Sequence, residues 1–452
     1  MGRRDLEPSG AERFVGPQEL FFSTTDRRGI IKTGNSVFSR VSQYAIEDMV
    51  GAPHSIVRHP DMPSGAYRLM WDRLLSGRPM AAYVKNLARD GASYWVFATV
   101  VPLGEDFLSV RMAPASALAD AARRVYQTVA QDERDLAVRE RLPRPEVAAA
   151  GAARIEQLLG QLGYRSYDEF MLQALPTEVA ARGRLLSTSF ARPQAHGTLA
   201  EILDSARQID GQLEVLVGRL ARYTSLTTDL GPAADAVLAN ATGLQASVDA
   251  ARSASARVGD QAPVLRNVAQ VMGHPMASAV ASLRELAPRL SELRTEVAEV
   301  GFGIALAQLH TEMMGAFAAE VVDGVAPASA LAEIPRLCDA VDQGVQAMAE
   351  AIEDVNQRLH AVVDRIRRSE ELLGDFRRFL GQWWILVLRH RQGGAVADYR
   401  APIDDQLDAT ADQLAYLRSL GDQCQAAVAP FDRSRLEPHL NQVRAAVGYA
   451  RV

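Results

Sequence analysis

The sequence predicts an α+β domain over residues 18–113, followed by an all-α elongated helical bundle or coiled coil. In the first region, short apolar runs alternate with turn-forming residues, which is typical of strands and hairpins. Beyond Pro114, apolar residues recur at alternating spacings of four and three, which is typical of packed helices. Composition agrees, since 48% of the residues are hydrophobic and only 6% are aromatic, a balance that favours packed helices.

The α+β region begins with two strand patterns, at 20–25 and 30–33, joined by the turn residues 26–29. A helical pattern covers 37–50, with Asn35 or Ser36 as its N-cap. The remaining elements are a helix entered at Pro63 and reaching Leu75, then strands at 81–88, 93–102 and 107–112. Two strands, short helices and three antiparallel strands describe a PAS-like order.

The helical region contains three seams of apolar residues with heptad spacing. They are Ile202, Ala206, Ile209, Leu213, Leu216, Leu220 and Tyr223; then Leu283, Leu286, Leu290, Leu293, Val297 and Val300; and finally Ile352, Val355, Leu359, Val362 and Ile366. Proline 288 is expected to kink or break the second seam. Further breaks are expected at Gly231-Pro232, Gly273-His274-Pro275, Gly324 to Pro327, and Gly393-Gly394.

These patterns divide the chain into a disordered N-terminus (1–17), the α+β domain, a connecting helix (114–141) and a bundle (142–452) with a hairpin-like core at about 197–375. At 452 residues, two or more domains are expected. The formal charge of −6 and the pI near 5.8 argue against a nucleic-acid-binding protein. Only two cysteines occur and no run of about 18 apolar residues, so a cytoplasmic protein without a membrane span is expected.

The tract Arg58-His59-Pro60-Asp61-Met62-Pro63 concentrates a cation, an imidazole and a carboxylate beside a helix start. Such density is what a cofactor or signalling pocket requires. In a purely structural alternative, Arg58 and Asp61 form a salt bridge, Asp61 helps to cap the following helix, and His59 is packed. In a third interpretation, His54 or His59 is an axial ligand to haem.

The N-terminal region resembles the PAS domain of bacterial aerotaxis receptors. The residues that carry the resemblance are Ser23-Thr24-Thr25-Asp26, Val41-Ser42-x-Tyr44, Gly51-x-Pro53-His54, Val57-Arg58-His59-Pro60-Asp61-Met62-Pro63, Met70-Trp71, Gly77-x-Pro79, Val84-Lys85-Asn86, Tyr94-Trp95-Val96 and Val101-Pro102. In that family the pocket holds FAD non-covalently, and redox change of the flavin drives oxygen or energy sensing. The resemblance therefore implies a flavin site in this chain.

The candidate cofactor-binding residues under this resemblance are Arg58, His59, Asp61, Asn86, Met80, His54, Trp71 and Trp95. One position departs from the family pattern. The family has a tryptophan directly after the Gly-x-Pro turn, where it contacts the flavin, and this chain has Met80. Methionine packs against a ring but lacks the stacking surface and the indole donor. FAD is the first expected cofactor, haem is the alternative, and a site without cofactor stays open.

The segment 239–252 is similar to the core of chemoreceptor hairpin tips, through Gln245-Ala-Ser-Val-Asp-Ala-Ala-Arg252. The Gly-rich tip that follows in chemoreceptors is replaced by Gly259-Asp260-Gln261-Ala262-Pro263. A divergent hairpin or plain bundle is therefore expected more than a kinase-coupling tip.

Three features of the helical region are given structural interpretations. Gly301-Phe302-Gly303 indicates close helix packing, and His310 is expected to be a satisfied bundle histidine. Trp383 and Trp384, with Phe376 and Phe379, are interpreted as core. No nucleotide-binding loop, cyclase or phosphodiesterase signature occurs, so an enzyme is not expected.

The sequence thus predicts a PAS-containing signal transducer that senses redox, oxygen or energy state. The signal would pass through the helices to a protein partner, and a homodimer is expected. Two alternatives remain: a cofactor-free scaffold for dimerisation and partner docking, and a divergent soluble chemoreceptor.

Overall fold

The computed structural model describes residues 6–186, 191–257, 263–389, 397–427 and 431–450. Its N-terminal part contains a five-stranded antiparallel sheet in the order β2-β1-β5-β4-β3. The strands are β1 (Leu20–Asp26), β2 (Ile31–Gly34), β3 (Met80–Leu87), β4 (Ser93–Leu103) and β5 (Asp106–Met112). Between β2 and β3 lie α1 (Ser36–Ser42), α2 (Ile46–Met49), a 3-10 turn (His54–Val57) and α3 (Ser64–Leu75). The predicted α+β order is confirmed.

Local signals explain the helix boundaries in this domain. The Asn35 side chain accepts a hydrogen bond from the Phe38 N–H, so Asn35 is the predicted N-cap. The helix expected over 37–50 is instead split, because Gln43 adopts a left-handed conformation (φ 59°) and ends α1. Pro63 occupies the cap position in an extended conformation and lies just outside α3, rather than being its first residue.

Both faces of the sheet are buried. On one face, Phe22 packs edge-on against Phe317 (5.2 Å between ring centroids), and Tyr83 packs against Phe170 (6.2 Å). On the opposite face, alternate residues of β3, β4 and β5 line a cavity described below. The sheet therefore separates a helix-covered surface from a candidate binding site.

Long helices make up the rest of the described chain. They are α4 (Leu118–Arg139), α5 (Arg144–Gln161), α6 (Tyr167–Leu185), α7 (Thr198–Arg257), α8 (Pro263–Arg284), α9 (Leu286–Val322), α10 (Ile334–Arg389), α11 (Arg400–Ala427) and α12 (Glu437–Ala450). Short 3-10 turns occur at Ala328–Glu333, Ala397–Tyr399 and Arg433–Arg435. This confirms a PAS-like domain followed by a helical region.

The chain divides into two compact units. One contains Met1–Val217, Ala298–Ala349 and Asp432–Val452, and the other contains Gly218–Val297 and Glu350–Phe431. This division does not follow the expected boundary at residue 142. Helix α5 packs against α3 and α4, and α6 packs against β3, so these helices belong with the PAS-like domain.

The N-terminal segment also differs from the expectation of disorder over 1–17. In its described part, the Ser9 N–H donates to Gly91 O, and residues 11–13 pair with Ser93. Arg13 forms an ion pair with Asp90 and donates to Val41 O (3.0 Å). These backbone bonds fix the segment along the start of β4, because a strand edge offers unpaired N–H and C=O groups.

The predicted apolar seams are largely buried, and Pro288 does mark a break. Helix α8 ends at Arg284 and α9 begins at Leu286, which places Pro288 in the first turn of α9, where its missing N–H needs no partner. The break at 324–327 is also confirmed, whereas Gly393-Gly394 lies outside the described residues. The breaks expected at Pro232 and Pro275 were wrong, because α7 and α8 continue through them.

Helix α7 tolerates its internal proline because a side chain replaces the lost backbone donor. Pro232 cannot donate to the Thr228 carbonyl four residues earlier. Arg294 of α9 donates from Nη2 to Thr228 O (3.3 Å) and from Nε to Thr227 O (3.2 Å). A Cβ on Gly231 would lie 2.2 Å from this Nη2, so the glycine provides the space. The Arg294 guanidinium therefore binds the helix backbone beside Gly231 and Pro232.

Of the interpretations of the helical region, one is confirmed, one holds in part and one is wrong. A Cβ on Gly303 would lie 2.8 Å from Met348 Cγ, which agrees with close helix packing. Trp383 and Phe376 are buried, and the Trp383 indole N–H donates to Ser255 Oγ (3.1 Å), whereas Trp384 and Phe379 are half-buried. His310 is buried, yet neither ring nitrogen has a hydrogen-bond partner among the described residues. Burial lowers its pKa to about 3, so the imidazole is neutral.

Candidate cofactor-binding site

A cavity of about 310 Å³ lies between α3 and the inner face of the sheet. Its volume falls at the lower end of the range of roughly 300–1,000 Å³ for small-molecule sites. The residues that line it are Thr25, Arg28, Gly29, Pro53, His54, Ser55, Arg58, Tyr67, Met70, Trp71, Leu74, Val84, Asn86, Ala98, Val100, Phe107, Ser109 and Arg111. This lining includes three arginines and no carboxylate.

Strand alternation delivers the polar groups of the cavity. Phe107, Ser109 and Arg111 are two residues apart on β5, so they share a face of the sheet, and so do Val84 and Asn86 on β3. The register sets Ala98 of β4 opposite Arg111. This small neighbour leaves space beside the guanidinium.

Buried Arg111 and half-buried His54 form a polar pair at this cavity. Arg111 Nη2 lies 2.7 Å from His54 Nε2. Since a guanidinium only donates, the imidazole accepts through Nε2 and carries its proton on Nδ1. Burial, together with the Arg111 charge, holds the His54 pKa well below its ordinary value, so the imidazole is neutral. Burial also lowers the Arg111 pKa to about 10, which leaves the guanidinium charged at neutral pH.

Aromatic side chains and one amide complete the lining. Trp71 packs edge-on against Phe107 (5.8 Å), and the Arg58 guanidinium lies 4.0 Å from the centre of the Tyr67 ring. Asn86 is buried, and its side-chain amide has no hydrogen-bond partner among the described residues. Such a lining combines apolar walls with a few directional donors and acceptors.

Four of the predicted site residues line the cavity: His54, Arg58, Trp71 and Asn86. The other four do not. His59 is buried, and its Nδ1 accepts the Asp61 backbone N–H (3.0 Å). Burial, followed by the charge of Lys85, lowers the His59 pKa to about 4. Asp61 is exposed and pairs with Lys85 (3.2 Å) and Arg134 (3.7 Å).

Met80 and Trp95 lie near the sheet but off the cavity. Met80 starts β3, is buried, and pairs in register with Val100. The Arg123 guanidinium lies 5.2 Å from the centre of the Trp95 ring. On β4 it is out of step with Ala98 and Val100, so it belongs to the opposite face. The large aromatic surface in the cavity therefore comes from Trp71 rather than from residue 80.

The structural alternative for the Arg58–Pro63 tract is partly wrong. Asp61 pairs with Lys85 and Arg134 rather than with Arg58, whose Nη2 donates to Met62 O (3.3 Å). His59 is packed, as that alternative required. The haem alternative fits poorly, because Arg111 engages Nε2 of His54 and His59 lies off the cavity.

The cap of α3 comes from a distant helix. The Glu133 carboxylate of α4 accepts hydrogen bonds from the Ser64 N–H (2.7 Å), the Ser64 hydroxyl (2.6 Å) and the Gly65 N–H (2.8 Å). A carboxylate at a helix N-terminus is favoured both by the free N–H groups and by the helix dipole. Since α3 carries Tyr67, Met70, Trp71 and Leu74, this contact joins the cavity wall to the connecting helix.

Helix α5 crosses α3 at backbone distance. A Cβ on Gly65 would lie 2.3 Å from Ala152 N, and one on Gly151 would lie 1.9 Å from Glu133 Oε1. Only glycine fits at both positions. The two glycines and Glu133 thus lock α3, α4 and α5 together.

A second buried carboxylate fixes the start of α4. Glu178 of α6 accepts from Tyr83 Oη (2.6 Å), from the Ala115 N–H (2.5 Å) and from the Ser116 hydroxyl (2.5 Å). Its side chain is fully buried. Tyr83 lies on β3, so the sheet, α6 and the entry to α4 share one carboxylate.

Sequence reasoning missed Arg111, Tyr67 and Phe107 as site residues. One signal was available for two of them. In Asp106–Met112, an arginine occupies the same alternating face as Phe107 and Ser109 within a strand that is otherwise buried. A charged residue in that position is rare in a core and points to a site.

Comparison with known proteins gives a relative in sequence and several similar solved structures. Over 81 residues the chain is 44% identical to the aerotaxis receptor of Escherichia coli K12, an alignment that covers 18% of this chain and 16% of the receptor. Solved structures with similarity include a light-oxygen-voltage domain (19% identity, TM-score 0.22, 24% of this chain and 85% of that one). Another is the LOV protein of Rhodobacter sphaeroides (16%, TM-score 0.21, 36% and 93%). No profile of a known protein family matches the chain.

The strand order, the element sequence and the cavity define the N-terminal region as a PAS domain. The chain is also similar in sequence to an aerotaxis receptor over 81 residues. The chemoreceptor-like hairpin is not confirmed: segment 239–252 lies within α7, and 258–262 lies outside the described residues. No helix of the described ranges is both long and apolar enough to cross a bilayer. Over the same ranges, no group of three or more His, Cys, Asp or Glu residues could hold a metal ion.

Proposed function

We propose that this protein is a PAS-based sensory signal transducer that detects redox or oxygen state through a flavin held in the α3 cavity. The observation that carries the proposal is the cavity itself, with its apolar walls and its buried, uncompensated guanidinium. The similarity to an aerotaxis receptor over the PAS domain supports the same class of signal. The chain spans only 16% of that receptor, so its output is proposed from this chain's own structure.

The residues present fit a flavin ring. Trp71, Phe107 and Val84 offer apolar surface, while Asn86 and Arg111 offer donors that have no competing carboxylate among the described residues. A heteroaromatic ring with carbonyl and ring-nitrogen acceptors matches that donor set. When bound, a flavin would supply reversible electron transfer. The protein's own residues would hold the ring, orient its acceptor edge and exclude water.

Transmission would begin at α3. A change in the ligand alters the contacts of Tyr67, Met70 and Trp71, and these residues share a helix with Ser64 and Gly65. The Glu133 cap and the Gly65–Gly151 crossing then pass any shift of α3 to α4 and α5. The output would be protein–protein contact through the helices, either with a signalling partner or with a second copy of the chain. We propose no enzymatic activity and a cytoplasmic location.

Optical spectroscopy on the freshly purified, untreated protein tests the cofactor. Flavin absorption and fluorescence that co-elute with the chain and are released on denaturation are the expected result. A Soret band instead would identify haem. A spectrum that stays empty after reconstitution with FAD and with haem would leave the cofactor-free scaffold as the function.

Hydrogen exchange tests the relay. Amides in the first turn of α3 and in α4 around Glu133 should change protection between the oxidised and the reduced flavoprotein. Glu133→Gln should reduce that difference in α4 while leaving flavin occupancy unchanged. Equal protection in both redox states of the wild-type protein would contradict this route.

A further inference from the structure

Arg111 is a buried charge of the PAS domain. Its side chain is only 7% exposed, and no carboxylate pairs with it among the described residues. It contacts His54 Nε2 (2.7 Å), Ser23 Oγ (3.4 Å) and the Phe38 ring (5.6 Å from Cζ), and none of these groups is an anion. A buried cation without an anion is unfavourable, and such a group normally has a partner.

The guanidinium also retains unused donors. It carries five N–H groups. Nη2 makes both hydrogen bonds of this side chain, so the N–H groups of Nη1 and Nε have no acceptor among the described residues. Arg111 lines the cavity, opposite the small side chain of Ala98. These donors are therefore available to a molecule in the cavity.

The other arginines of the lining are placed differently. Arg28 is exposed, at the turn between β1 and β2, and Arg58 is half-buried over the Tyr67 ring. Arg28 thus lies toward solvent, where an interaction with a ligand is screened by water. Of the three arginines that line the cavity, Arg111 is the one that would contact a ligand away from water.

We propose that Arg111 is the residue that selects the ligand, by donating to an electron-rich edge of its buried ring, either a carbonyl oxygen or a negatively charged ring nitrogen. The proposal rests on the proposed flavin site and names the part of the ligand that is recognised. A flavin satisfies it through its dione edge. A ring of similar size with no acceptor at that edge would be rejected, because the Arg111 donors would stay unpaired.

The test measures binding of riboflavin and of FAD to the full chain by quenching of flavin fluorescence, after removal of bound flavin. Riboflavin isolates recognition of the ring, since it carries no phosphate. Arg111→Met should weaken riboflavin binding by about 10- to 100-fold, the range for loss of a hydrogen bond to a charged group. Arg111→Lys keeps the charge but not the planar arrangement of donors. Its riboflavin affinity should therefore lie between those of wild type and Arg111→Met. Arg89→Met, at an exposed arginine outside the cavity lining, is the control and should leave riboflavin affinity within about 3-fold of wild type.

Thermal unfolding of the flavin-free proteins separates recognition from folding. Because Arg111→Met removes an uncompensated buried cation, the empty variant should melt at the same temperature as wild type or higher. Unchanged riboflavin affinity in Arg111→Met would overturn the assignment while leaving the flavin sensor intact. A lower melting temperature with unchanged affinity would make Arg111 structural. Failure of the wild-type protein to bind either flavin would overturn both the assignment and the proposed cofactor.

Discussion

Glu133 is a side chain that joins the cavity helix α3 to the connecting helix α4. Its carboxylate accepts three hydrogen bonds at the start of α3 in a buried place. Glu133→Ala should lower the free energy of unfolding by about 1–3 kcal/mol, because the Ser64 and Gly65 N–H groups lose a charged acceptor. Urea unfolding followed by circular dichroism measures the loss.

A matched control for Glu133 is available on the same helix. Glu140, the C-cap residue of α4, is exposed, and Glu140→Ala should change stability by less than about 0.5 kcal/mol. An equal loss of stability in both variants would contradict a specific contribution of the Glu133 cap to stability.

His310 should make stability depend on pH. Its pKa in the folded protein is about 3, below the ordinary 6.5, because burial disfavours the charged ring. As pH falls below about 6.5, the unfolded chain binds a proton that the folded chain does not, so stability falls by up to about 1.4 kcal/mol per pH unit for this residue. His310→Gln should therefore show a shallower decline between pH 6.5 and 4.5 in urea unfolding.

The exposed histidine of the same unit, His196, provides the comparison. His196→Gln should keep the wild-type pH slope. His54 and His59 also have lowered pKa values, so they too bind protons in the unfolded chain before they do in the folded chain. Some dependence of stability on pH is therefore expected to remain in His310→Gln. A slope in His310→Gln identical to that of wild type would contradict the prediction.

For single residues, the sequence predicted those roles that depend only on neighbouring residues in the chain. Asn35 caps α1 because a side chain and an N–H three residues on meet in any helix start. Four of the eight candidate site residues line the cavity, and Arg58 is among them because the resemblance carried its position. The sequence could not predict that Glu133 would cap α3, because 69 residues separate it from Ser64 and only tertiary packing brings them together.

Helix α7 shows how a tertiary contact overrides a local signal. Gly231-Pro232 predicts a break, yet Arg294 pairs with the carbonyls of Thr227 and Thr228 and the helix continues. Gly231→Ala would normally stabilise a helix by about 1 kcal/mol. Here it should give no gain, because the new Cβ would displace the guanidinium. Thermal unfolding of the full chain measures the difference.

Gly218 of the same helix is the matched control, since a Cβ there would meet nothing within 4 Å. Gly218→Ala should therefore stabilise by up to about 1 kcal/mol. In the background of Arg294→Ala, the two glycine variants should behave alike, because the competing guanidinium is gone. A full gain from Gly231→Ala in the wild-type background would refute the role of Arg294.

Helices with a regular spacing of apolar residues were predicted well, whereas the elements that they pack against were not. The apolar repeats of residues 283–300 lie in buried positions, as heptad spacing requires. That α5 and α6 pack on the PAS domain was not predicted, because an amphipathic pattern gives the apolar face of a helix but does not name what covers it.

The PAS domain is not an independent module in this molecule. Its outer sheet face packs against Phe170 and Phe317, and Tyr83 donates to Glu178. A fragment of residues 1–113 should therefore expose apolar surface, bind a hydrophobic dye, and melt at a lower temperature than a fragment of residues 1–186, which keeps α4 to α6. Equal melting temperatures for the two fragments would show that the helices add nothing to the domain.

The crossing of Gly65 and Gly151 has a mechanical consequence. Where side chains separate two helices, a small displacement is absorbed by rotamer changes and dies out within a few residues. At this crossing, backbone meets backbone with no room for a methyl group. We therefore expect a shift of α3 to be passed directly to α5.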